Sequence, residues 1–221
     1  MKLVYPEIES VFHFKNDCVP SVIIENPGLF FRFTEDLYNQ CCGNDGKAVM
    51  SINDTPVPIS GNMDLITNFF PFEMNRKNLI NKIITKLEKN ASAPEFFERS
   101  QHLICQLEQL FHDLAFYNDL DLDFSRLSIS ALLKASGVYL KVDGLSLAEK
   151  ISTYMDLMIS NGLAKLFVFV NLRSLIDSNT MEVFTNNCCR HCYNILLIDN
   201  KEYPKLSRET RTVIDIDLCE F

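Results

Sequence analysis

The sequence predicts an α/β fold in which a parallel sheet is assembled from both ends of the chain and interrupted by a helical insertion. Two observations carry this. Short apolar runs stand near the N-terminus, in Val11–Phe14 and in the "PSVII" of Pro20–Ile24, and return near the C-terminus as "LFVFVN" and "NILLID". Continuous runs of this kind suit strands covered on both faces, as parallel strands are. Between them, residues 76–117 place apolar side chains at helical spacing over a length that strands do not reach. The expected division is an α/β domain of residues 1–62 and 160–221, with a mainly helical insert over 63–159.

Each element has a local reason. After "PSVII", Asn26-Pro27-Gly28 leads into "LFFRFTEDLYNQCC", with Pro27 placed to begin a helix and "GNDG" to end it. "KAVMSI" reads as a further strand, "TPVPISGN" as a crossing between domains and "MDLITNFF" as helical or mixed. Leu79, Ile80, Ile83, Ile84 and Leu87 form one apolar stripe, and residues 94–117 carry another, so two antiparallel helices joined at "NASAP" are expected. "SISALLKAS" reads as a short helix closed by Gly137, and "VYLKV" as a strand. A helix from Ser146 to Ser160 opens on a Ser146/Glu149 capping box, and "TMEVFTNNC" is helical.

With 221 residues, 47% of them hydrophobic, the chain can bury a substantial core without staples. Its eight cysteines come as two doublets and scattered singles, which reads as reduced thiols in a cytoplasmic protein. The opening "MKLVYPEIES" lacks an apolar signal region, and no run reaches the ~18 apolar residues of a membrane span. The expectation is a protein neither exported nor embedded. A net charge of -8 argues against a polyanionic partner unless basic residues are segregated on one surface.

Most catalytic chemistry lacks its residues. Strand, Pro-Gly and helix followed later by "FVFVN" imitate the layout of a phosphate-loop fold. However, "ENPGLFFRF" supplies neither the Lys nor the hydroxyl that holds phosphate and magnesium, and Asn171 stands where an acidic metal ligand would. Cys188, Cys189, His191 and Cys192 have metal-ligand intervals but no second pair to complete four ligands, so the cysteines read as small packed or half-exposed thiols. His13, His102 and His112 are isolated, and no Ser or Cys has a nucleophile motif around it. No enzyme is expected. A degenerate nucleotide-binding regulator or ATPase is the alternative that the phosphate-loop layout keeps open.

Two clusters remain. Lys82, Lys86 and Lys89 fall at i, i+4 and i+7, opposite the stripe of Ile80, Ile83, Ile84 and Leu87. They form a one-sided cationic ridge, read either as a solvated face or as a contact to phosphate. Lys134 and Lys141 add positive charge further on. In "NDLDLDF", an extended chain would set Asp119, Asp121 and Asp123 along one edge about 7 Å apart. That edge is either an ordinary polar strand edge or a hard-cation site, calcium above all. It is not an EF-hand, because Phe124 occupies the place of its glycine.

The order "YNDLDLDFSRLSISALLKASGVYLKV", "LAEKI", "LAKLFVFVNL" resembles the type II-A CRISPR adaptation family, Csn-two, across about residues 110–175 and more loosely over the whole chain. The resemblance implies an α/β head with a degenerate phosphate-loop-like parallel sheet, a helical leg, and a homotetrameric ring that accepts double-stranded DNA ends without sequence preference. It also implies calcium in the leg, with Asp119, Asp121 and Asp123 at the family's acidic positions. The implied role is non-catalytic, in spacer acquisition beside the CRISPR integrase complex and the type II effector nuclease. Four copies of one lysine ridge facing inward would concentrate positive potential in an otherwise acidic protein.

Overall fold

The computed structural model describes every residue except Val142. The chain divides into two compact units, Met1–Glu73 with Asp143–Phe221, and Met74–Val142. Among the described residues no helix is long and apolar enough to cross a membrane.

The first unit begins with β1 (Lys2–Tyr5), β2 (Ile8–His13), β3 (Val19–Ile24), α1 (Pro27–Cys41), β4 (Val49–Ile52), β5 (Thr55–Val57) and β6 (Met63–Ile66). The second unit holds α2 (Lys77–Ala91), α3 (Pro94–Tyr117) and α4 (Ile129–Ala135). The first resumes with α5 (Leu147–Ser160), β7 (Leu166–Val170), a 3-10 turn at Leu172–Ser174, α6 (Ser178–Arg190), β8 (Asn194–Asp199) and β9 (Glu209–Ile214). The α/β class and the parallel sheet built from both ends of the chain are thus observed.

That sheet has the order β6-β7-β8-β3-β9, every pair parallel. Its strands are apolar on both faces because both are covered. Val22, Ile24, Leu166, Val168, Leu196 and Ile198 face a core shared with Leu29, Phe33 and Leu37 of α1. An antiparallel sheet of order β2-β1-β4-β5 contributes Leu3, Phe12 and Met50 to the same core. On the opposite face Phe167 meets Tyr154 of α5, with ring centroids 6.5 Å apart, and Phe169 meets Phe184 of α6 at 5.9 Å.

Two segments lie elsewhere than the sequence reading placed them. Residues 63–73 and 143–159 were expected in the helical insert and belong to the first unit. Met63–Ile66, read as helical or mixed, is an edge strand of the parallel sheet, and four residues are too few to show a period. Helix α5 buries Ile151, Tyr154, Met155 and Met158, and its capping box forms as expected between Ser146 and Glu149. The expected strand "VYLKV" is also absent at residues 138–141, which are irregular, and its last residue lies outside the described residues.

In the second unit α2 packs against both α3 and α4. Met74 just before α2, Leu79 and Ile84 of α2, and Ile104 and Ala115 of α3 are the buried apolar residues among its described residues. Asn75 ties the end of this unit to its start, accepting from the Leu140 N–H at 2.6 Å.

Candidate nucleic-acid interface

Helix α2 presents Lys82, Lys86 and Lys89 on one exposed arc while Ile84 points inward, as the spacing requires. None of the three is ion-paired among the described residues. The three positions span about 11 Å of the helix axis. Lys134 sits in the last turn of α4, where a cation suits the helix C-terminus, and Lys141 is exposed in the irregular segment beyond. The structure therefore aligns three of the five lysines and leaves the other two on separate elements.

The acidic segment is shaped differently from the expected extended edge. Asp119 has φ +49° and ends α3, its N–H donating to the Phe116 carbonyl at 3.1 Å while the Leu120 N–H donates to Ala115 at 3.0 Å. This is a left-handed helix stop, with aspartate where glycine is commonest. The chain then runs irregularly, and Asp123 accepts from the Phe124 N–H at 2.9 Å. Leu120, Leu122 and Phe124 turn toward Phe111, Leu114 and Ala115 around a shallow apolar cleft of about 250 Å³. The leucines thus follow the apolar end of α3, and the aspartates remain exposed. Among the described residues, no group of three or more His, Cys, Asp or Glu side chains stands together as an ion site.

Residues 40–218 match the protein family described as CRISPR-associated protein (Cas_Csn2). The chain belongs to that family. Its role is accordingly CRISPR-associated, in adaptation, and the family is not known for catalysis. The match spans both compact units, so the second unit is part of the family's architecture rather than an addition to it.

In this Csn2-family protein the turn after β3 is closed by its own side chains. Asn26 caps α1 by accepting from the Leu29 N–H at 3.0 Å, and its amide donates to the Ile216 carbonyl at 2.9 Å. At the end of β7, Asn171 adopts φ +58° and stitches two strands together. Its N–H donates to the Ile198 carbonyl at 2.7 Å, and its side chain accepts from the Asn200 N–H at 3.0 Å. The residue that departs from an acidic metal ligand thus has a structural task.

Cys188 and Cys189 are buried on α6, where burial pushes both thiols up, and Cys192 is exposed in a left-handed turn just beyond. His191 stacks on Tyr193 with centroids 5.4 Å apart.

The sequence reading missed a buried ionic cluster. Arg173, in the 3-10 turn after β7, reaches Glu209 at 2.7 Å and Asp199 at 3.2 Å. Arg211 grips the same Glu209 through two hydrogen bonds of 2.9 and 3.0 Å, and Ser21 and the Leu206 N–H also donate to it. The Arg173 to Asp199 approach is close enough for an ion pair but not aligned as a hydrogen bond, which leaves both Asp199 oxygens without a donor. Burial pushes the Asp199 carboxyl up to about 6, against the pull of Arg173. Burial also pushes Glu209 upward, but the donated bonds from Arg211, Arg173, Ser21 and Leu206 outweigh it and hold that carboxyl at about 2. The signal was an aspartate closing the otherwise apolar run "NILLID".

Proposed function

We propose that this Csn2-family protein is a non-catalytic DNA-end holder of spacer acquisition, acting as a homotetrameric ring beside the integrase complex and the type II effector nuclease. The observation that carries the DNA part is the exposed, unpaired row Lys82-Lys86-Lys89 in a protein of net charge -8. An acidic chain gains phosphate affinity only where its cations are gathered away from its carboxylates, and α2 gathers them. The parallel sheet with α1 following its strand β3 supports reading the first unit as a degenerate phosphate-loop-like head. The closed turn at Asn26 uses donors that a phosphate would need.

Duplex binding by the full chain, followed as a function of salt, tests the ridge. The log-log plot should slope by about -0.9 per phosphate neutralised, and Lys82→Ala with Lys86→Ala should flatten it by roughly 0.9 for each phosphate that these ammonium groups no longer neutralise. An unchanged slope would remove the ridge from the interface.

Calcium comes from the family resemblance and has no formed ligand set here. Asp119 serves as a helix stop, and among the described residues the three carboxylates join no group of three or more such ligands. Light scattering with and without a chelator decides the matter. A fall in assembled mass on chelation supports an ion held by the acidic segment once copies come together, and an unchanged mass leaves that segment as a helix terminus alone.

A further inference from the structure

The amino ends of β7 and β8 frame a cavity that no part of the DNA reading uses. It holds about 500 Å³, inside the range of about 300–1,000 Å³ in which small-molecule sites fall. Phe14, just after β2, and Ala164, just before β7, are buried beside it. Ile52 of β4 and the partly exposed Ile159 of α5 complete a mostly apolar wall. The stacked rings of His191 and Tyr193 form the side between α6 and β8. The Tyr193 hydroxyl donates to Asp156, which holds that ring in place.

The polar groups choose the ligand. Asn16, Lys165 and Asn194 line the cavity, and no carboxylate does, in a chain with 29 Asp and Glu against 21 Lys and Arg. The groove between α5 and α6 has the opposite character, with Glu149 and Asp156 on its walls and no Lys or Arg. Lys165 is exposed and has no ion pair among the described residues. Its backbone is nevertheless fixed on both sides. The N–H donates to the Asn62 carbonyl at 2.8 Å, and the carbonyl accepts from the Asn194 side-chain amide at 3.0 Å. A free ammonium group on an anchored residue, at the edge of an apolar cavity, suits a molecule with a flat apolar body and one acidic end. A multiply charged phosphate would meet a single lysine there and lose its hydration against the apolar wall.

We propose that this cavity binds a small aromatic carboxylate, its ring against Phe14, Ile159 and Tyr193 and its acidic end on Lys165. The site and the lysine ridge of α2 belong to different units, so this inference and the DNA reading stand or fall separately.

Indole-3-acetate, indole-3-acetamide and tryptamine share one apolar body and differ in charge, and their binding to the full-length protein tests the site. The chain contains no tryptophan, so indole emission excited through tyrosine reports the bound probe. The acid should bind with a dissociation constant on the order of a millimolar, given its size, with the amide about tenfold weaker and tryptamine weaker still. Lys165→Met, at an exposed position, should bring the acid to the level of the amide and leave the amide unchanged. Cys192, an exposed thiol on the cavity wall, reports the location. At about ten times its dissociation constant the acid should slow alkylation of Cys192 by iodoacetamide about tenfold, while Cys219, exposed and outside the cavity, reacts as before. Equal binding of the three indoles would overturn the site, as would an acid preference that survives Lys165→Met. Saturation without protection of Cys192, or no saturation by about ten times the expected constant, would overturn it equally.

Discussion

Replacing Arg173 by Met lowers the stability of the first unit by about 3 kcal/mol or more, within the range for removing one partner of a buried charge pair. Methionine approximates the length of the arginine stem but leaves Asp199 and Glu209 without the guanidinium between them. The two carboxylates differ in what remains. Glu209 keeps Arg211, Ser21 and the Leu206 N–H, whereas Asp199, with a side chain 1% exposed, keeps no donor among the described residues. The loss therefore falls mainly on Asp199, which can escape it only by taking up a proton.

That escape makes the effect depend on pH. In the native protein Asp199 binds its proton more tightly when folded, at about 6, than at its ordinary value of 3.8. Its contribution to stability is thus fullest below about pH 4 and is lost as pH rises through about 6. Glu209 runs the other way. Held at about 2 against an ordinary 4.5, it stabilises the fold above pH 4.5 and loses that contribution as pH falls toward 2. From this cluster alone, stability should be greatest near pH 4 to 5. Removing Arg173 raises the Asp199 carboxyl further, so the Met variant should lose more at pH 8 than at pH 5. Hydrogen exchange at the amides of β3, β8 and β9 reports the opening of this unit by itself. A loss below about 1 kcal/mol at both pH values would mean that the cluster is already hydrated.

Much of this architecture was legible because burial on both faces writes itself into a strand as an unbroken apolar run. "FVFV" and "NILLI" could hardly be anything but central strands, and β7 and β8 are neighbours in the sheet. β6 was not legible, because four residues with Asp64 among them carry no period, and Asp64 is accommodated by the Tyr154 hydroxyl, which donates to it at 2.8 Å. α5 was found with its cap but assigned to the wrong unit, since an amphipathic helix declares its apolar face and not the surface that receives it. The lysine ridge was readable from spacing, as exposure on a helix follows from position. The acidic segment misled because alternation of Asp and Leu implies a strand only if every residue is extended, and Asp119 takes the left-handed conformation that stops α3. The Arg173 cluster joins residues 173, 199, 209 and 211 through tertiary contact, and no local pattern announces such a meeting.

The proposed ring would have a topological consequence that no open surface shares, since a duplex can enter a closed channel only at an end. Binding to a linear duplex and to a covalently closed circle of the same sequence, at one salt concentration, separates the two cases directly. The phosphate contacts per bound length are identical, so an open lysine surface would hold both equally. The expected result is firm binding of the linear form and affinity for the circle weaker by a factor on the order of a hundred, recovered when the circle is cut once. Equal affinity for the linear duplex and the closed circle would contradict the ring as the DNA-holding form of this protein.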